Sequence, residues 1–225
     1  MRLSEDPSAD QGLTSSSLSA VQRAKYENSN PHGTMHFSVI DKDNSAVSLT
    51  SPVNLIFDAK FMDSVTGIIL NDELVDFSIP GVPNNFCLFP SPCNYIAPFE
   101  RPLFTITPTN IEDEDKNFQL VVGVSGGSQI LTATLNVILN AFDFDLNIFE
   151  AVKTPIIHHQ LIPNKARFET GHSAKIMEVL ITKRHQFRNL PETGTASASQ
   201  AIRRFGDGPI HAASDPRKQG VATAY

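Results

Sequence analysis

The sequence predicts an α+β fold, and three observations carry that prediction. Residues 37–49 alternate between apolar and polar side chains on both sides of an Asp/Asn turn, which is typical of a β-hairpin. Residues 128–141 carry apolar side chains at the spacing of a helix. Residues 196–213 place two further strand-like segments around a Gly-Asp-Gly turn. Paired strands with helices grouped between them indicate a layered sandwich of sheets and helices.

The first 33 residues differ in composition from the rest of the chain. They are polar, rich in Ser, Asn and Asp, and show no sustained apolar face. We therefore interpret residues 1–33 as a flexible lead-in and residues 34–225 as the folded domain.

The first half of the domain is predicted to be mostly strand and loop. After the hairpin comes a short apolar run at 66–70, and then a proline-rich, irregular stretch at 79–108. The acidic run 112–115 is interpreted as the solvated end of a second hairpin. Its returning strand, 118–124, is apolar apart from Gln119, which indicates burial. Gly126 and Gly127 end that strand.

Three helices are predicted in the second half. The first covers 128–141 and the second covers 146–153, where Pro155 stops it. The third covers 173–183, with Ser173 as its N-cap residue and an apolar face formed by Ile176, Val179 and Leu180.

Composition and charge exclude several classes of function. The chain has 225 residues, a formal net charge of −6 and a pI near 5.6, so it lacks the basic character of a nucleic-acid-binding domain. No apolar run reaches the length of a membrane span, and no signal-peptide pattern opens the chain. Localisation stays undetermined. Cys87 and Cys93 fit a small disulfide loop and two free thiols equally well.

Few short motifs in the chain carry chemistry when each is taken alone. There is no phosphate-binding glycine motif, and no cofactor is expected. His158 and His159 are adjacent, so their side chains point apart, and no further ligand stands at metal-binding spacing; no metal site is expected. Ser125-Gly126-Gly127 follows a strand and opens a helix, which suits either an anion-binding turn or a plain tight turn.

Taken together, these motifs and several others form an ordered set that resembles the small subunit of gamma-glutamyltranspeptidase (glutathione hydrolase). The resemblance covers about residues 34–225. The blocks that carry it are 34–38 (TMHFS), 46–50 (AVSLT), 67–78 (GIILNDELVDFS), 101–103 (RPL), 107–109 (TPT), 123–130 (GVSGGSQI), 158–161 (HHQL) and 212–217 (AASDPR).

The resemblance implies an N-terminal-nucleophile hydrolase with an αββα sandwich, of which this chain would supply the small-subunit part. Members of the family cleave their own precursor before a Thr, which then attacks the γ-glutamyl carbonyl of glutathione. By this match Thr34 is the nucleophile and Gly33–Thr34 is the scissile bond. A hydroxyl needs a base, and the freed α-amine of the same residue can act as one because the pKa of an α-amine is about 7.7–8.0.

The same match assigns the substrate-binding residues. Asn54, Glu73 and Asp76 would hold the ammonium of the γ-glutamyl group, for which ionised acceptors are favourable. Thr105 would bind its carboxylate. Gly126 and Gly127 match the family's pair of backbone donors for the oxyanion, where glycine lets the backbone approach closely.

Several positions depart from the family pattern. A Thr that helps to orient the nucleophile usually stands where this chain has Pro52, which has neither a hydroxyl nor an N–H. The family's two carboxylate-binding Ser residues are replaced by Phe104 and Thr105. Met35 replaces a second hydroxyl residue after the nucleophile.

Two classes of function therefore remain open from the sequence. One is a γ-glutamyl hydrolase or transferase that works once a large subunit joins it. The other is a non-catalytic, light-chain-like protein that keeps the fold and binds a partner chain. The family's large subunit has several hundred residues, and we expect Met1 to open either a fragment or a stand-alone paralogue of the small subunit.

Overall fold

The structure is a computed structural model that describes residues 33–54, 58–84, 87–189, 197–206 and 208–224. Apart from Gly33, the predicted lead-in therefore lies outside the described residues. The described part contains three α-helices, α1 (Ile130–Phe142), α2 (Ile148–Lys153) and α3 (Ala174–Thr182). Its nine strands are β1 (Gly33–Ile40), β2 (Ala46–Asn54), β3 (Thr109–Glu112), β4 (Phe118–Ser125), β5 (Ile157–His158), β6 (Ala166–Phe168), β7 (Phe187–Asn189), β8 (Ala198–Arg204) and β9 (Ile210–Ser214).

The strands form three sheets within the described residues. β1 and β2 pair as an antiparallel hairpin, β3-β4-β8-β9 form an antiparallel sheet in that order, and β5-β6-β7 form a small third sheet. The three hairpins predicted from the turns at 41–44, 112–115 and 206–208 are thus confirmed. The third sheet was not predicted, and its β6–β7 pair is parallel.

The four-stranded sheet is covered on both faces, which explains why residues 120–124 of β4 carry no polar side chain. Leu120 and Val122 face α1 and α2 and belong to the main apolar core with Val137, Ile148 and Val152. The β1–β2 hairpin packs on the opposite face against β4 and β8. A strand with both faces buried has no solvent side to mark with polar residues. The resulting order of layers is helices, sheet, hairpin.

The predicted helices differ in how well they are buried. In α1 a face at helical spacing is fully buried, formed by Ile130, Ala133, Val137 and Ala141. In α2 the Asn147 side chain accepts a hydrogen bond from the Glu150 backbone N–H, and the helix ends before Pro155 as predicted. In α3 no residue is buried, and the predicted apolar face is exposed at Ile176 and Val179. Ser173 stands at the N-cap position, but its side chain makes no capping hydrogen bond.

Two outward faces of the described domain are apolar and exposed. On the hairpin this face consists of Met35, Phe37, Val39, Val47 and Leu49, and on α1 it consists of Leu131, Leu135, Leu139 and Phe142. Apolar faces of this kind mark interaction surfaces. None of the helices in the described ranges is long and apolar enough to cross a bilayer.

Candidate active site

An irregularity in the hairpin marks the position of the predicted nucleophile. Gly33 pairs with Asn54 and Thr34 pairs with Pro52, so the register skips Val53 and a bulge falls at the Gly33–Thr34 bond. Bulges redirect the strand and often lie beside active sites. The bond that the sequence predicts to be cleaved is therefore the irregular point of the hairpin.

Asn54, the last residue of β2, lies beside this bulge and forms hydrogen bonds with two carboxylates. Its Nδ2 donates hydrogen bonds to Asp76 Oδ2 at 2.7 Å and to Glu73 Oε2 at 3.2 Å. The Asn54 backbone has a φ of 38°, in the left-handed region that Asn tolerates better than most residues. Glu73 and Asp76 stand at the two ends of one 3-10 turn, Glu73–Asp76. The three predicted ammonium ligands are thus in direct contact, across from Gly33.

The two carboxylates perturb each other electrostatically. Burial raises the pKa of Glu73 to about 7, and a hydrogen bond to Asp76 together with its charge adds to the rise. Two carboxyl groups this close disfavour double ionisation unless a cation joins them. The pair is therefore suited to bind a small cation, and the bound cation would favour the fully ionised form.

Asn94, which sequence reasoning missed, connects this pair to the neighbouring loop. The side chain is 8% exposed, and its Nδ2 donates to the Asp76 carbonyl at 2.8 Å. Its Oδ1 accepts from the Leu103 N–H at 2.8 Å. The segment that carries Phe104 and Thr105 is thereby fixed relative to Asp76. Both of those side chains are exposed, and the role predicted for Thr105 stays a prediction.

His36, also missed, lies between the hairpin and β4. It is 7% exposed, and its ring occupies the space that a Cβ on Gly123 would need. Nδ1 contacts Thr50 Oγ1 at 2.8 Å and Nε2 contacts Ser38 Oγ at 3.1 Å. Burial lowers the pKa of His36 to about 4, so the ring is neutral at pH 7. The sequence signal for this contact is a lone Gly inside an otherwise apolar strand.

The predicted oxyanion turn follows β4 directly. Gly126 has a φ of 147°, and a Cβ at this position would lie 2.6 Å from the Cβ of Ser197, so only glycine fits. Gly127 begins a 3-10 turn that leads into α1. Backbone N–H groups at such a strand-to-helix turn favour negative charge.

Lys218, near the C-terminus, contacts both the predicted nucleophile and the residue before the predicted oxyanion turn. Lys218 Nζ donates to the Thr34 carbonyl at 3.0 Å and to Ser125 Oγ at 2.8 Å. Thr34 and the residue before Gly126 are thus within reach of one ammonium. Neither composition nor spacing singled out Lys218, because a lysine beside a chain end is ordinarily solvated.

The two adjacent histidines differ in burial. His158 is 2% exposed and contacts Thr132 Oγ1 and Gln160 Oε1, whereas His159 is half-buried. Gln160 Oε1 also accepts from Ser128 Oγ, so this network braces the start of α1. No group of three or more metal-ligating side chains occurs in the described ranges. Cys87 and Cys93 are exposed free thiols.

The sequence is similar to a known protein family and to several curated proteins. The family model described as gamma-glutamyltranspeptidase matches residues 5–225. Glutathione hydrolase proenzyme 2 of Schizosaccharomyces pombe is 43% identical over 195 residues, covering 86% of this chain and 32% of its own length. Glutathione hydrolase proenzyme of Escherichia coli is 36% identical over 211 residues, covering 93% of this chain and 35% of its own length.

A solved structure agrees with these relatives. A variant of Helicobacter pylori gamma-glutamyltranspeptidase is 35% identical and superposes with a TM-score of 0.72, covering 81% of this chain and 98% of the solved chain.

The fold is that of an N-terminal-nucleophile hydrolase with mixed α and β structure. Within that class, the chain belongs to the gamma-glutamyltranspeptidase family. It spans about a third of the length of the two curated relatives named above.

Proposed function

We propose that this chain hydrolyses or transfers the γ-glutamyl group of glutathione, with Thr34 as the nucleophile. The observation that carries the proposal is the cluster of Asn54, Glu73 and Asp76, held together by hydrogen bonds directly across from the Gly33–Thr34 bond. A γ-glutamyl group carries an ammonium, and this is the kind of acceptor cluster that an ammonium needs. With the ammonium bound there, the γ-glutamyl amide of the substrate would lie near the Thr34 hydroxyl that attacks it.

The proposed chemistry proceeds through a threonyl ester. Cleavage of Gly33–Thr34 frees the α-amine of Thr34, which takes the proton from Oγ1 as that oxygen attacks the γ-carbonyl carbon. The backbone N–H groups of Gly126 and Gly127 would stabilise the tetrahedral oxyanion. Cysteinylglycine leaves with the proton on its amine, and water or an acceptor amine then attacks the ester. Thr105 would hold the glutamyl carboxylate.

We further propose that residues 34–225 form the small-subunit part of a two-chain enzyme, preceded by the lead-in 1–33. The alignment over nearly the whole of one solved chain supports this assignment, and so does the one-third coverage of the relatives. The exposed apolar faces of the hairpin and of α1 suit burial against a larger partner chain. The names of the curated relatives as proenzymes favour processing at Gly33–Thr34.

A non-catalytic, light-chain-like protein is the second candidate, and two substituted positions favour it. Pro52 pairs with Thr34, so the hydroxyl that usually orients the nucleophile is replaced by a ring. Phe104 removes one carboxylate-binding hydroxyl as well. In this candidate the fold and the partner surface are kept, while turnover is lost.

Complementation separates the two candidates. The chain is co-expressed with the large subunit of a relative, and release from a γ-glutamyl anilide is assayed. We expect no activity without the partner, because positioning is worth about 7–11 kcal/mol, and weak activity with it. Restoring both hydroxyls with Pro52→Thr and Phe104→Ser should raise the rate, and Thr34→Ala should abolish it. A stable, restored assembly that stays inert would favour the non-catalytic candidate.

A further inference from the structure

We propose that Lys218 is a positioning residue that ties the backbone of Thr34 to Ser125, and so holds the nucleophile in register with the oxyanion turn. The inference rests on the proposed function, since it concerns how Thr34 is placed. It depends on two hydrogen bonds from the Lys218 ammonium, one to the Thr34 carbonyl at 3.0 Å and one to the Ser125 hydroxyl at 2.8 Å.

Lys218 projects from a rigid base rather than from a loose tail. It ends the 3-10 turn Pro216–Lys218, whose first turn is capped by the buried Asp215 carboxylate through the Arg217 N–H at 2.9 Å. Asp215 is fully buried and also accepts from the Ser199 N–H on β8. The turn is therefore fastened to the four-stranded sheet before the Lys218 side chain begins.

Arg217 fixes the other side of this turn. Its guanidinium makes a bidentate pair with Glu169, at 2.9 and 2.6 Å, and contacts Asp215 at 2.9 Å. It also donates to the Val152 and Thr154 carbonyls at the end of α2. Directly after the turn, Gly220 packs so closely on Ser214 that a Cβ there would clash. On one side of Lys218, Arg217 is thus bonded to Glu169 and to the end of α2, and on the other side Gly220 lies against Ser214.

The ammonium gives up solvent to make this contact. Lys218 is exposed as a whole residue, but its ammonium contacts the Thr34 carbonyl on β1 and the Ser125 hydroxyl at the end of β4. Burial lowers the pKa of Lys218, and the negative charge of Asp215 partly opposes that effect. A lysine with free access to water would keep its ammonium there, so the two hydrogen bonds are what compensates the lost hydration.

The contact connects two elements that the reaction needs in fixed relation. Thr34 lies on the hairpin, whereas Ser125 ends β4 in the other sheet, directly before Gly126. Farther along β4, Ser48 Oγ on the hairpin donates to the Val122 carbonyl at 3.0 Å, and Lys218 adds a link at the end where Thr34 lies. A displacement of about 1 Å between nucleophile and oxyanion donors can lower a rate a hundredfold. Lys218 acts through Thr34 and does not itself react.

The contact can be tested directly in the full-length chain, without any activity. Thr34-Met35 is the sole Thr-Met pair in the sequence, so labelling Thr with carbonyl ¹³C and Met with ¹⁵N gives one cross-peak that reports the Thr34 carbonyl. We expect Lys218→Met to shift this carbonyl resonance upfield as its donor is lost, and Lys218→Arg to restore part of the shift. Lys42→Met is the control, because Lys42 pairs with Asp43 at the far end of the hairpin. A carbonyl shift that is the same in wild type and Lys218→Met would overturn the proposal.

The consequence is tested by kinetics in the complemented assembly. We expect Lys218→Met to lower kcat about tenfold to a hundredfold with little change in KM, and Lys218→Arg to recover part of the loss. A rise in KM at constant kcat would assign Lys218 to substrate binding and overturn the positioning role. If the wild-type assembly is inert while the carbonyl shift responds to Lys218→Met, the proposed function fails and the contact stands. If the wild type is active while the carbonyl does not respond, the proposed function stands and the contact fails.

Discussion

Thr34 on β1 pairs directly with Pro52 on β2, immediately beside the bulge at the Gly33–Thr34 bond. Pro52 has no N–H and no hydroxyl, so neither its backbone nor its side chain can donate a hydrogen bond to Thr34. The Thr34 carbonyl instead accepts from Lys218, which lies 184 residues further along the chain. The backbone carbonyl of the predicted nucleophile thus contacts a cation far along the chain, while its strand partner, Pro52, offers no hydroxyl.

Restoring that hydroxyl should increase turnover. Pro52→Thr in the complemented assembly is expected to raise kcat by about two- to tenfold, the value of one hydrogen bond of ~0.5–1.5 kcal/mol. Release from a γ-glutamyl anilide is the measurement. Pro52→Ala is the matched control, since it regains the N–H without the hydroxyl. An equal gain in Pro52→Ala would show that relief of the proline ring, and not the hydroxyl, is responsible.

Binding of a γ-glutamyl ammonium should depend on pH through Glu73. The raised pKa, near 7, means that Glu73 is largely protonated below that pH in the empty site. A bound cation favours the ionised form, so affinity should strengthen as pH rises from 6 to 8 and level off above that range. Competitive inhibition of anilide release by glutamate, measured across this range, reports the affinity.

Glu73→Gln isolates the contribution of that carboxylate. We expect it to weaken glutamate binding at pH 8 by about tenfold to a hundredfold, corresponding to ~1.5–3 kcal/mol, and to flatten the rise in affinity near pH 7. Glu114→Gln, in the exposed turn between β3 and β4, is the control and should change neither. An unaltered pH profile in Glu73→Gln would remove this carboxylate from the binding site.

The Arg217 network should be a main source of stability for the C-terminal segment. Arg217 pairs with Asp215, which is fully buried, and with Glu169. Because Arg217→Met leaves these carboxylates without their partner, it should lower the free energy of unfolding by about 3–5 kcal/mol. Urea denaturation measures the change. Lys153→Met breaks an exposed pair with Glu150 and should cost less than about 1 kcal/mol. Equal effects of the two substitutions would contradict the structural assignment.

Much of the fold could be predicted because its signals are local. The hairpins followed from turn residues between alternating segments, and α1 followed from apolar residues at helical spacing. The β5-β6-β7 sheet could not be predicted, because two of its strands have three residues and one has two. The exposure of α3 was missed for a different reason: an amphipathic pattern shows that a face is apolar, and does not show what covers it.

Some residues of the candidate site could be predicted from the sequence, and others could not. Resemblance to the family supplied Asn54, Glu73 and Asp76, and the structure places them in contact. Lys218 and Asn94 could not be predicted, because each is identified by its hydrogen bonds to residues distant in sequence, which no local pattern encodes. The sequence signal for the His36 contact is Gly123, whose lack of a side chain makes room for the ring.

The central claim is that Thr34 carries the γ-glutamyl group during turnover. The most direct measurement is an acid quench of the complemented, processed assembly during reaction with a γ-glutamyl anilide, followed by mass spectrometry of the chain and its peptides. We expect one γ-glutamyl ester, on the peptide that begins at Thr34, and none in Thr34→Ala. An ester on a different residue, or anilide release that persists in Thr34→Ala, would contradict the claim.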